Sequence, residues 1–492
     1  MTLKKLIQDF DYEVVLGDIN KEITTLTNDS RTVIKDGVFV AISGAVSDGH
    51  KFVLDVSDMG VGAIIVEYFN ESWLPLLKEK NIALIKVSNS RYALSLMSRS
   101  FYDYPDEKLH VIGITGTKGK TTTTYMIKSI LENTGKKVGL IGTIETVIGD
   151  KSYPNANTTP ESIKIQEDFR KMVDEGIEIV VMEVSSQGLK LDRVAGIPFE
   201  IGIFTNIGED HIGPNEHKDF NEYLECKAKL FKMCKYGIGN IDDKHYNDIF
   251  KDATCIKETY GFNENADVRA SEIEYFNDFS TMGVRYHVSG LLDFNVQVDI
   301  PGKFTVYNSL TAISVCRHFN VPTDAIINAL KKAKVRGRIE MMNVSDDFTL
   351  MIDYAHNAMS LESLLLTLKE YNPGRIVTVF GCGGNRSKTR RFEMGEVSGK
   401  LSDFTIITSD NPRFEDPELI IKDIIVGMEK TNGKYISITD RGEAIKYAVH
   451  NAKPKDVIII AGKGHETYQE IKGVKHHMDD RELVRDALNE IR

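Results

Sequence analysis

Short runs that are apolar at nearly every position alternate along this chain with stretches whose apolar residues recur at helical spacing. The runs "GAIIVE", "HVIGITG", "EIVVMEV", "IGIFTNI", "RIVTVFG", "FTIITSD" and "DVIIIAGKG" are rich in β-branched residues. A strand that is apolar on both faces needs helices against both, so the pattern predicts α/β domains built on parallel sheets. Between Ser271 and Val298 the period becomes alternating, in "MGVRYHVSG" and "FNVQVDIPG". Alternation predicts an antiparallel hairpin, here added to the middle domain.

Two breaks interrupt the pattern. In "YDYPDEKLH" (Tyr102 to His110) proline and charge end a helical stretch before a new strand, and in "KVRGRIE" (Lys334 to Glu340) a glycine flanked by arginines follows the helix "TDAIINALKKA". A chain of 492 residues exceeds one ordinary core, and typical domain sizes suggest about three. The expected domains are residues 1–107, 108–337 and 338–492.

Composition limits the function without naming it. Hydrophobic content of 41% with 27% charged residues is that of a soluble globular protein. The 61 basic and 72 acidic side chains give a net charge of -11, which argues against nonspecific binding to nucleic acid or anionic membrane. An anionic ligand would need a local basic pocket. No apolar run reaches membrane-spanning length, and the start "MTLKKLIQDFDYEVV" contains no signal-peptide core. Cys226, Cys234, Cys255, Cys316 and Cys382 are scattered without metal-ligand spacing, so a reducing, cytoplasmic setting is expected.

Candidate chemistry begins where "HVIGI" runs into "TGTKGKTTTTYMIKSIL". A glycine-rich turn ending in Gly-Lys-Thr before a helix is a phosphate cradle. Backbone N–H groups and the helix N-terminus face the anion, Lys120 reaches the terminal phosphates, and the Thr121 hydroxyl can ligate magnesium. The spacing from Gly116 through Gly119 is shorter than the usual ATPase loop, but ATP remains the expected ligand. The strand "EIVVMEVSS" delivers Glu183 to the C-terminal edge of a sheet, and "TNIGEDHIG" puts Asp210 and His211 just past another strand end. Glu183 and His211 are suited to magnesium ligation, although a lone His or Glu is more often structural or exposed.

Taken in order, "GTKGKTT", "EVSS", "TNIGEDH", "YLECK", "YNSLTA", "GRIE" and "DYAHN" give a chain that resembles the Mur ligases and their folylpolyglutamate synthetase relatives. Mur ligases are ATP-dependent enzymes of peptidoglycan synthesis. The resemblance implies a three-domain α/β architecture with a central P-loop-type parallel sheet and a C-terminal Rossmann-like domain. It also implies amide formation through an acyl phosphate. Gly116, Thr117, Lys118, Gly119, Lys120, Thr121 and Thr122 would hold the phosphates, and Asn308, Arg338, Asp353, Tyr354 and His356 the base and ribose. Thr121, Glu183, His211 and Lys227 would bind magnesium, with Lys227 carbamylated to N6-carboxylysine. Lys120, His211 and Lys227 would be the catalytic set. Ser30, in "NDSRT", would contact the UDP part of a UDP-muramoyl-dipeptide, and Asn157, Thr158, Thr159, Ser185 and Arg193 its dipeptide part. Departures from the family pattern (Lys118, Leu191, Arg336, Ala358) bear on substrate contacts more than on phosphate or metal ligands.

The stretch "SDNPRFEDPELI" is, on local grammar, a strand-turn-helix joint in which Asp416 caps the helix opened by Pro417, leaving Arg413 a solvated charge. The resemblance gives it another role. Family members that add meso-diaminopimelate carry a D-N-P-R motif, here Asp410, Asn411, Pro412 and Arg413, whose arginine pairs with the carboxylate that lysine lacks. By the same matching, Arg391 would bind a carboxylate of the amino acid, and Gly462 and Glu466 would receive its ammonium. The expected partners are a UDP-muramoyl-dipeptide and a diamino acid, with no nucleic acid, and a monomer is expected. L-lysine or meso-lanthionine as the added residue, a polyglutamate- or cyanophycin-type acceptor, and a non-catalytic ATP-binding paralogue stay open as alternatives.

Overall fold

Each uniformly apolar run becomes a buried strand of a sheet, and the ends of those strands set where loops gather. The computed structural model describes residues 1–44, 47–213, 216–278, 281–342 and 344–490. The chain divides into two compact units, Met1–Asp267 with Ser314–Phe319, and Val268–Ile313 with Asn320–Arg492.

The first unit carries a sheet in the order Glu13–Leu16, Ala83–Lys86, Ala63–Val66, Val38–Val40, Leu26–Thr27, parallel except for its antiparallel first strand. A second array runs Ile256–Gly261, Cys234–Asn240, Phe199–Phe204, His110–Thr115, Ile179–Glu183, Val138–Ile141, all parallel. The strands Glu145–Ile148 and Lys151–Pro154 extend it antiparallel. His110–Thr115 lies between Phe199–Phe204 and Ile179–Glu183, so the segments that follow these three strands emerge together at one edge. Helix Ser90–Phe101 joins the two sheets of this unit: Asn89 Nδ2 donates to Asp192 Oδ2 (2.9 Å) and Ser95 Oγ to Ala195 O (2.8 Å).

In the second unit the alternating segment forms a three-stranded antiparallel ladder, Val268–Asn277, Met282–Gly290 and Phe294–Val298. Its apolar side is used in this unit, where buried Met282 joins a core with Leu361 and Leu365, and Tyr275 meets Tyr371 edge-on at 5.4 Å. The principal sheet here runs Glu340–Met342, Thr349–Asp353, Asp456–Ala461, Arg375–Phe380, Phe404–Ile407, Tyr435–Ser437, parallel apart from its first strand. The last parallel strand in sequence is inserted between the first two, and loops at such a crossing of strand order form the binding crevice of open α/β sheets. No helix among the described residues is long and apolar enough to cross a membrane.

One buried ion pair anchors this sheet. Arg441 Nε and Nη2 donate to the two oxygens of Asp480, each at 2.7 Å, and Nη2 also reaches Ala461 O (3.1 Å) at the end of a central strand. Both side chains are shut off from solvent. Removing one partner strands the other charge in the interior. Arg441→Ala should therefore lower the stability of this unit by about 3–5 kcal/mol in urea unfolding, and a loss below about 1 kcal/mol would show that the pair is not an anchor.

Candidate functional site

The phosphate turn depends on a close approach of backbone. Gly116 has φ 152°, and a Cβ there would stand 1.9 Å from Thr205 Oγ1, so only glycine lets the strand turn against its neighbour. Gly119, at φ 88°, opens helix Lys120–Glu132. The turn is tied to the adjacent strand end: Thr117 N donates to Asn206 O (2.9 Å) and Lys118 N to Asn206 Oδ1 (3.0 Å). Asn206 Nδ2 (3.0 Å) and Thr205 Oγ1 (2.8 Å) both donate to Lys118 O. Lys120 Nζ donates to Gly116 O (2.8 Å) and Thr117 O (3.2 Å), holding a cation over the turn.

Glu183, buried at its strand end, accepts from Thr121 Oγ1 and Thr143 N on one oxygen and from Thr143 Oγ1 on the other, all at 2.9 Å. A buried carboxylate beside a threonine hydroxyl is a set of hard oxygen donors that fits magnesium, which completes its shell with phosphate oxygens and water. Among the described residues no three His, Cys, Asp or Glu side chains gather as a metal site.

Lys227, on helix Phe220–Ala228, is fully enclosed. Its Nζ donates to Gly116 O (3.0 Å) and lies 4.4 Å from the centre of the Tyr223 ring. Burial, and then the Lys120 charge, push its ammonium well below the usual lysine value against the pull of Asp210. The neutral amine is thereby favoured. Burial likewise raises the Tyr223 phenol to about 12, and its hydroxyl lies 3.0 Å from Thr117 Oγ1. His211 sits elsewhere: its ring is half exposed, with Nδ1 3.2 Å from Glu216 and Nε2 3.9 Å from Asp210. Among the described residues it makes no hydrogen bond to Glu183, Thr121 or Lys227.

Four of the expected dipeptide residues converge on the strand end that bears Glu183. Thr159 Oγ1 donates to Glu183 O (2.9 Å) and lies 3.1 Å from Ser185 Oγ, which caps helix Ser186–Lys190. Thr158 Oγ1 is 3.1 Å from Thr143 Oγ1. Arg193 Nη1 donates to Thr159 O (2.9 Å) and Nη2 pairs with Glu161 at 2.5 Å, while among the described residues its buried Nε has no hydrogen-bond partner. That donor is what a ligand could take up. Asn157 is exposed, and Ser30 opens the short helical turn Ser30–Thr32, capped by Asp29.

In the second unit Asp353 is buried at a strand end, accepting from Ala355 N (2.8 Å) and Ile339 N (2.7 Å). Burial raises its pKa, with Arg338 opposing. Arg338 lies over the Tyr354 ring at 5.0 Å, and the His356 ring stands 4.7 Å from that of Tyr354. Gly337 (φ 68°) and Ile339 (φ 44°) frame Arg338 with left-handed backbone, strain for a β-branched residue that Asp353 holds in place. These residues form one group, and Asn308 is buried in helix Lys303–His318.

At the other loops of the same sheet, Arg413 has left-handed backbone (φ 52°), its Nη1 donates to Gly384 O (2.7 Å) and its Nε lies 3.3 Å from Glu470 Oε2. A cleft of about 670 Å³ opens beside it, lined also by Ser409, Glu415, Thr439 and Gln469. Glu466 Oε2 accepts from Lys463 Nζ and Asn411 Nδ2, both at 2.9 Å. Asp410 is fully buried, its pKa raised by that burial, and it packs where a Cβ on Gly462 (φ 110°) would fall, 2.7 Å from Oδ2. Pro412 is buried in the same turn.

Arg391 departs from expectation. Its guanidinium is 1% exposed and committed to Glu415 (2.8 and 2.9 Å) and Asp423 (2.9 Å), because two acids of the following loop and helix reach it first. A substrate carboxylate would have to displace them. Sequence reading also passed over Asn206, Thr143, Lys463 and Glu470. Asn206 and Lys463 lie inside segments singled out at strand ends, which was the available signal; Thr143 and Glu470 carry none.

Comparison with known proteins bears on all of these groups. Residues 114–316 match the description "Mur ligase middle domain" and residues 337–464 "Mur ligase, glutamate ligase domain". Over its whole length the chain is 45% identical to the whole of UDP-N-acetylmuramoyl-L-alanyl-D-glutamate--2,6-diaminopimelate ligase 1 of Clostridium acetobutylicum. It is 41% identical to the ligase of the same description from Caldanaerobacter subterraneus, covering 100% of this chain and 99% of that one. A solved structure of a UDP-N-acetylmuramoyl-L-alanyl-D-glutamate--2,6-diaminopimelate ligase superposes with TM-score 0.73 at 27% identity, covering 100% of this chain and 99% of the other. With its three-domain α/β architecture, the chain belongs to the Mur ligase family.

Proposed function

We propose that the protein is an ATP-dependent ligase that joins meso-diaminopimelate to UDP-N-acetylmuramoyl-L-alanyl-D-glutamate in peptidoglycan precursor synthesis. The observation that carries the choice of amino acid is Arg413, a guanidinium held beside a cleft at the C-terminal edge of a parallel sheet, in a chain 45% identical to a ligase of that description. Lysine lacks the second carboxylate and would leave the guanidinium unsatisfied, which costs a few kcal/mol, or discrimination of about a hundredfold.

A carboxylate oxygen of the D-glutamyl residue attacks the γ-phosphorus of ATP and ADP departs. The amino group of the incoming amino acid then attacks the acyl carbon, loses a proton, and inorganic phosphate leaves as the amide forms. Lys120 and the N–H groups of the turn at Gly116–Gly119 neutralise the phosphates, and Arg193 with Ser185 and Thr159 orients the dipeptide. The base and ribose fall to Arg338, Asp353, Tyr354 and His356, with Asn308. Glu466 receives an ammonium of the amino acid, and Arg391 acts through Glu415 to shape the loop. Glu183 and Thr121, with His211, would hold magnesium, which would supply further charge neutralisation on the phosphates.

Lys227 fits a carbamate. Its buried amine, in the neutral form, can add carbon dioxide, forming a nitrogen–carbon bond with loss of a proton, which turns a nitrogen base beside Lys120 into an oxygen ligand. The reading takes domains of 1–107, 108–337 and 338–492, in a monomer working in the cytoplasm, where ATP and reduced thiols prevail; the five cysteines are free.

Phosphate release from ATP with the UDP-muramoyl-dipeptide should depend on meso-diaminopimelate, and release with no amine-dependence for diaminopimelate, lysine or lanthionine would overturn the ligase reading. Arg413→Ala should raise KM for diaminopimelate about a hundredfold and leave ATP binding unchanged. Carbon-13 bicarbonate should give a carbamate NMR signal that is absent in Lys227→Arg. Because the folded pKa of Lys227 is depressed, the amine is neutral above that pKa and protonated below it, so the signal should fade as pH falls.

A further inference from the structure

Arg413 is held by more than its own turn. The antiparallel hairpin Tyr468–Ile471 with Val474–His477 lies alongside it, and the strand Tyr468–Ile471 bonds to every residue from Ser409 to Arg413 except Pro412. Gln469 Nε2 donates to Ser409 Oγ (3.2 Å) and Asp410 O (2.8 Å), and Glu470 N donates to Asn411 Oδ1 (2.9 Å). Arg413 N donates to Glu470 O (2.9 Å), and Lys472 N donates to Arg413 O (2.7 Å). These two bonds grip the backbone of a residue whose φ of 52° is unfavourable for arginine.

The side chain is held as specifically as the backbone. Nε faces Glu470 Oε2 at 3.3 Å and Nη1 faces Gly384 O at 2.7 Å, while among the described residues Nη2 has no hydrogen-bond partner. A guanidinium is planar, so fixing Nε and one Nη fixes the direction of the remaining donors. The two partners therefore leave Nη2 as the uncommitted donor of a residue that lines the cleft. Both side chains of the ion pair are only 25% exposed, so the pairing is partly shielded from solvent.

We propose that Glu470 is a positioning residue for amino-acid selection, holding the Nε edge of Arg413 so that its Nη2 edge is presented to the second carboxylate of the incoming amino acid. The inference rests on the diaminopimelate reading above. Glu470 does not touch the substrate carboxylate; it removes the rotational freedom that Arg413 would otherwise lose on binding. Preorganisation of this kind appears in affinity for the amino acid and leaves the chemistry of the acyl phosphate alone.

The test compares wild type, Glu470→Ala and Glu470→Gln. Glu470→Ala should raise KM for meso-diaminopimelate about five- to tenfold with kcat, KM for ATP and KM for the UDP-muramoyl-dipeptide unchanged. Glu470→Gln, which keeps an oxygen acceptor, should recover most of the loss. All three KM values rising together would mean a merely structural role and would overturn the proposal, as would an unchanged KM for diaminopimelate. A second readout needs no substrate: in protein labelled with nitrogen-15 arginine, the Arg413 Nε–H resonance, identified by its loss in Arg413→Lys, should be protected from exchange in wild type and exposed in Glu470→Ala. A wild type that does not use diaminopimelate overturns the functional reading, while equal protection in both proteins overturns the role of Glu470.

Discussion

The turn after His110–Thr115 is the constraint from which the first unit's chemistry is built. It must bring a backbone carbonyl, a helix start and two lysines to one spot, and it does so by pressing Gly116 against Thr205. Gly116 O then serves both Lys120 and Lys227. Enclosure of the Lys227 amine, reinforced by the Lys120 charge on the same carbonyl, drives it towards its neutral form. A demand of chain geometry thus becomes a demand on protonation.

Much of this was legible in the letters. Uniformly apolar runs gave parallel strands because burial on both faces leaves no place for polar residues, and the glycine-rich stretch gave a tight strand-to-helix turn in which Gly116 presses on Thr205. What letters cannot carry is competition between neighbours. Arg391 matches a substrate-binding position, but Glu415 and Asp423 occupy its guanidinium, and nothing in the local sequence says that they reach it. Lys227 reads as an ordinary helix charge until its burial is seen. Arg413 reads as a turn residue until Gly384 and Glu470 are found on its side chain.

The second unit solves a related problem with a different device. Its cleft loops carry buried Lys463 and Asp410 beside partly buried Glu466; Lys463 pairs with Glu466, and burial raises the pKa of Asp410. The hairpin beside them acts as an added strand, converting a flexible loop into something closer to sheet edge. Rigidity is imported from secondary structure to residues that themselves belong to none.

The left-handed backbone at Arg413 also says something about how this surface tolerates change. Glycine or asparagine would adopt φ 52° with less strain, so backbone preference favours replacing the arginine, while its bonds to Gly384 and Glu470 oppose the change. A stabilisation campaign guided by backbone preference would therefore be drawn to this position. On the proposed reading, the substituted enzyme would have lost its means of telling one diamino acid from another. At residue 413, backbone preference and the proposed recognition rank the amino acids in opposite order.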